Sequence, residues 1–75
     1  MVVEWKYEAG TEWISLDSEA NDKMESLFYE GKSGTLIIHG QKAEFDIDTF
    51  LLYFKSFDVE DNPIEFISRI VRTSY

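Results

Sequence analysis

The chain has 75 residues, 44% hydrophobic and 16% aromatic, with seven basic against fifteen acidic side chains and a net charge of −8. Its length is that of one domain, 1–75, in which about 60% of the unfolded surface can be buried, and the charge opposes phosphate backbones, so DNA is not an expected partner; the acidic excess keeps a small hydrophobic domain in solution or, as the alternative, suits a basic protein partner. The absence of cysteine excludes disulfides and thiolate chemistry and allows an intracellular setting, cytoplasmic or nuclear, while no apolar run is long enough to span a membrane.

In chain order, Val3, Trp5 and Tyr7 alternate with Glu4, Lys6 and Glu8, the period of a strand with one dry face. Ala9-Gly10-Thr11-Glu12 can reverse the chain and bring Trp13 back alongside Trp5, so both tryptophans are expected in one core. If Trp13 is buried, Trp13→Ala costs roughly 3–5 kcal/mol. Asp22-Lys23-Met24-Glu25 has capping-box spacing, Met24, Leu27 and Phe28 make one apolar stripe, and Gly31 suits a helix end, which predicts a helix over 21–30. Thr35 to His39 is β-rich, with Gly40-Gln41 suited to a type II′ turn, and Ala43, Phe45 and Ile47 alternate with acidic residues on the returning strand.

The run from Phe50 to Phe57 is strand or helix on pattern alone. Asp58 to Pro63 is an acidic loop, and Ile64 to Arg72 predicts a last strand with two nearly apolar faces. No internal repeat or low-complexity linker interrupts the chain. The expected architecture is α+β: a strongly bent antiparallel sheet, a half-barrel of about six strands, wrapped around one helix, with Trp5, Trp13, Phe28, Ile38 and Phe45 in the core.

Residues with chemistry are sparse. His39 is the single histidine and reads as a strand-end residue, and neither Asp46/Asp48 nor Asp58/Glu60/Asp61 has the loop pattern of a Ca²⁺ site. No enzyme activity, metal or cofactor is expected.

Trp5, Tyr7, Glu8, Trp13 and Asp17, then Met24-Glu25-Ser26-Leu27-Phe28, then Phe45-Asp46-Ile47-Asp48-Thr49-Phe50 together resemble the WWE domain family in order and spacing. The resemblance implies a turn near 48–50 followed by a strand. It further implies an interaction module in a ubiquitin or ADP-ribosylation context. Members that read poly(ADP-ribose) sandwich the adenine between aromatic rings, hydrogen-bond it with a glutamine and neutralise the phosphates with Arg and Lys. Of those groups Tyr7 is kept, and Arg69 and Arg72 fall near the basic positions of the last strand. Gly10, Ala43 and Leu52 stand where readers place a basic residue, an aromatic and a glutamine. A lost stacked ring and a lost hydrogen bond lower affinity by about 10²–10⁴, so ADP-ribose polymer is expected to bind weakly or not at all. Gly10→Arg, Ala43→Tyr and Leu52→Gln together are expected to rebuild the pocket.

Two functions follow as expectations. One is a noncatalytic protein-interaction or scaffold module anchored by Tyr53, Phe57 or Tyr75, with Asp58, Glu60 and Asp61 steering a basic partner. The other is an ADP-ribose reader using Tyr7, Arg69 and Arg72 in an altered pocket. An acidic inhibitor that mimics a polyanion is a third, weaker alternative.

Overall fold

The structure, a computed structural model, describes residues 2–75. Six strands, β1 (Val3–Ala9), β2 (Glu12–Ser15), β3 (Gly34–Ile38), β4 (Gln41–Asp46), β5 (Leu51–Phe57) and β6 (Pro63–Ser74), surround one helix, α1 (Ser18–Glu30). Every pair is antiparallel, in the order β2-β1-β6-β5-β4-β3. The α+β half-barrel expected from the alternation is the fold observed, and the apolar run after Phe50 is strand. β6 joins the two ends of the chain, pairing with β5 through its first half and with β1 through its second.

The concave face collects Trp5, Leu36, Ile38, Ala43, Phe45, Leu52, Phe54 and Ile70. Helix α1 supplies Ala20, Met24 and Leu27, an i, i+4, i+7 stripe laid against that face. Trp5 is wholly buried and meets Phe28 at 5.3 Å and Phe50 at 5.8 Å between ring centroids. Phe28 packs edge-on against Trp5 yet keeps an exposed side, so it lids the core expected to enclose it.

Three local expectations are corrected. Trp13 is 42% exposed. The loop is the two residues Gly10-Thr11, with Gly10 at φ 64°, so Ala9 faces Glu12 and Trp13 faces Glu8. Residues paired across strands share a face, so Trp13 sits on the convex side with the charges of β1.

The helix begins at Ser18, which puts Asp22 beyond the first turn and breaks the expected capping box. Asp17 stands before the helix, where its backbone oxygen accepts from the Asn21 N–H at 2.8 Å. Its carboxylate accepts instead from the His39 N–H at 3.0 Å. At the other end Gly31 is left-handed, with its N–H on the Phe28 oxygen and the Lys32 N–H on the Leu27 oxygen, the Schellman arrangement.

The β3–β4 turn is His39-Gly40, one residue earlier than expected, because Ile38 pairs with Gln41. Both turn residues have positive φ, 49° and 79°, as a type I′ turn requires. His39 tolerates this with both ends tied: besides its N–H on Asp17, its Nε2 donates to the Ser15 carbonyl at 2.9 Å.

Candidate functional site

The helix packs against β1 and β3 and leaves the far end of the concave face open. A groove of about 440 Å³ remains there, lined by Tyr7, Gly10, Gln41, Phe54, Phe66 and Ser68 among others. Tyr7 and Phe54 form its floor, their rings 5.3 Å apart. Phe66, paired with Phe54 across β5 and β6, is 54% exposed.

Register decides where each expected site residue goes. Tyr7 lines the groove, and so does Gly10. Arg69 does not: it lies at the convex surface, where its Nε donates to Glu8 at 3.3 Å, its Nη2 makes a second, closer contact with the same carboxylate, and its guanidinium lies 5.8 Å from the Trp13 ring centre. Glu8 thereby holds the Arg69 guanidinium above its ordinary pKa.

Arg72 is committed elsewhere. Its Nε and Nη2 each donate to the Glu25 carboxylate at 2.9 Å, and its guanidinium packs 5.4 Å from Phe28 and 5.9 Å from Tyr29. Arg72 lowers the Glu25 carboxyl below its ordinary value, aided by the Trp5 indole N–H, which donates at 3.1 Å. Tyr7, Arg69 and Arg72 are therefore not brought together.

The rebuilt pocket is also corrected. Ala43 and Leu52 are buried in the core, so Ala43→Tyr would overfill it and Leu52→Gln would bury an amide. Among the described residues lining the groove there is no cation, and one carboxylate, Glu8, is present.

The other expected surface is the β5–β6 hairpin. Tyr53 lies half-buried on the convex face opposite Ile67, its hydroxyl 3.5 Å from that of Thr49. Phe57 closes the strand opposite Pro63 and is 68% exposed. Glu60 and Asp61 are exposed beside it, whereas Asp58 is a turn former. Its Oδ1 accepts from the Glu60 and Asn62 N–H groups at 2.9 Å each. Those bonds, Asn62 first, lower the Asp58 carboxyl below its ordinary value. The three acids therefore do not act alike, and neutralising all three would unmake the loop. Tyr75 is exposed at the far end of β6, where its hydroxyl donates to Glu4 Oε2 at 2.8 Å.

Phe66 and Ile67, both open to solvent, were not singled out from the sequence; the two nearly apolar faces of the last strand were the signal that could have marked them. Among the described residues no helix is long and apolar enough to cross a membrane, and no group of three or more His, Cys, Asp or Glu is placed to hold a metal ion. Comparisons with protein-family models, curated proteins and solved structures find no match to this chain.

Proposed function

We propose that this chain is a noncatalytic interaction module of the WWE type that takes a protein partner on its β5–β6 hairpin. The observation that carries the reading is Phe57, two-thirds exposed at the hairpin end and bordered by Glu60 and Asp61. An exposed large ring next to an acidic loop suits a contact anchor, because aromatic area supplies affinity and nearby acidic charge supplies steering toward a basic surface. The order of elements, with the helix between the second and third of six strands, is compatible with the resemblance. That resemblance extends the reading to a ubiquitin or ADP-ribosylation context.

The runner-up, an ADP-ribose reader, draws on the groove beside Tyr7. It is disfavoured because Arg69 is engaged by Glu8 and Arg72 by Glu25, and neither arginine lines that groove. The test places a photo-reactive phenylalanine analogue at Phe57 and, as a control, at Lys32, in the full chain in cells. Cross-links from position 57 and none from 32 are expected. A parallel NMR titration with ADP-ribose and its polymer is expected to leave the Tyr7 and Ser68 amides unmoved; micromolar binding there would replace the interaction reading with the runner-up.

A further inference from the structure

The edges of this sheet are not treated alike. Where β2 runs out, Asn21 closes the edge of β1: its Oδ1 accepts from the Trp5 N–H at 2.7 Å and its Nδ2 donates to the Val3 oxygen at 3.0 Å. Among the described residues, the first half of β6 has no such cover on its β1 side. β1 pairs with it only as far as Tyr7 opposite Ile70, then turns away at Gly10.

The direction of the open backbone groups follows from register. Val2 and Tyr75 exchange both main-chain hydrogen bonds, at 2.6 and 2.9 Å. Both ladders of β6 run without a bulge, so every second residue back from Tyr75 presents its N–H and C=O to the β1 side. Glu65 and Ile67 are such residues and lie beyond the end of β1. Pro63, with no N–H, bounds the edge on the outside. The open edge also borders the groove, whose wall includes Phe66 and Ile67, 54% and 59% exposed.

We propose that this open edge of β6 accepts an extended segment of a partner protein as an added antiparallel strand, continuing the line that β1 leaves at Gly10. The occupant's pattern is set by the register. Side chains opposite Ile64, Phe66 and Ser68 face the concave groove and are apolar, and the one opposite Glu65 faces out and is basic. Charge selects a partner over a second copy of this chain: each copy carries −8, and a paired edge would bring two Glu65 side chains and two acidic loops together. This proposal rests on the interaction reading and names its recognition mode.

The probe is a blocked seven-residue peptide with valine at its second, fourth and sixth positions and lysine at its third and fifth, titrated into the full chain and followed by NMR. Shifts centred on Glu65, Ile67 and Phe66, with slowed exchange of the Glu65 and Ile67 N–H groups, are expected. Glutamate in place of the lysines weakens binding about tenfold, the size of reversed cross-strand charge pairs. Methylation of the peptide nitrogens that face β6 abolishes binding with the protein unaltered. Ile67→Pro, which removes an edge N–H while leaving the β5 ladder its own donors, does the same in a chain whose other resonances are unchanged.

Binding that survives nitrogen methylation overturns strand addition. Concentration-dependent self-association lost on Ile67→Pro gives the edge to a second copy and also overturns it. Cross-linking at Phe57 with no peptide binding would sink this inference alone and leave the interaction reading standing. Micromolar ADP-ribose in the groove would remove both.

Discussion

The Glu25–Arg72 clasp, which joins a helix and a strand 47 residues apart in the chain, makes a prediction that separates the ion pair from the indole hydrogen bond. Glu25 serves two donors: the Arg72 guanidinium at 2.9 Å and the indole N–H of Trp5, a side chain with no exposed surface. The ion pair retains solvent contact, 23% of each side chain, so its own contribution is small. The indole is different, because a buried N–H left without an acceptor costs about 1–3 kcal/mol. Glu25→Gln keeps an oxygen for the Trp5 indole and loses the charge together with the acceptor of Arg72 Nη2, whereas Glu25→Ala leaves the indole with no acceptor as well. Urea unfolding followed by far-UV circular dichroism is expected to show Glu25→Ala less stable than Glu25→Gln by about 1–3 kcal/mol at unchanged slope, with the buried indole as the main loss and the Arg72 Nε bond the smaller one. Indole N–H exchange at Trp5 should accelerate in the alanine variant. Equal stabilities for the two variants would refute the assignment of Trp5 as the partner that matters.

The reversed placement of the tryptophans predicts that Phe45→Ala, at 2% exposure, loses about 3–5 kcal/mol in the same assay, while Trp13→Ala on the convex face loses far less; equal losses would put Trp13 back in the core. Asp58→Ala should broaden the Glu60 and Asn62 amide resonances by freeing two N–H groups, whereas Glu60→Gln should not, and a well-ordered loop in Asp58→Ala would remove the turn-forming role. Glu25, held down first by Arg72, Asp17 by the His39 N–H, and Asp58 by the Asn62 N–H each have a folded pKa below the ordinary 4.5 or 3.8. Their stabilisation is present above those ordinary values and lost as pH falls through the folded ones, so the urea midpoint should hold from neutral pH and decline on acidification. A midpoint that climbs below pH 4.5 would mean that relief of charge repulsion outweighs these bonds.

What the chain announced was period and punctuation. The alternation of Val3, Trp5 and Tyr7, the Met24–Leu27 spacing and Gly31 are local signals with local causes, and the elements they mark are present. What it concealed was parity. Trp13 was misplaced because hairpin register, here Ala9 opposite Glu12, fixes which face every following side chain takes, and a shift of one residue inverts that face; the His39-Gly40 turn moved by one residue without inverting a face, so Ile38, Ala43 and Phe45 point inward as expected. The start of α1 was concealed for a related reason: the Asp17 carboxylate is taken by His39, 22 residues away.

The same parity explains why the groove and the arginines of β6 part company. Arg69 faces outward because it is odd-numbered like Val71 opposite Lys6, and Arg72 faces inward but three rungs nearer the helix than Arg69, within reach of Glu25. The inward positions of β6 that line the groove are Phe66 and Ser68, neither of them charged. A phosphate-bearing ligand would have to draw Arg72 out of its pair with Glu25. An extended peptide makes no such demand, because the groups it needs are the unpaired main chain of Glu65 and Ile67 and the rings of Phe54 and Phe66, which already face the open space. The groove is thus better matched to backbone and apolar recognition than to a polyanion, for a reason fixed by strand register and legible only once β1 and β6 are paired.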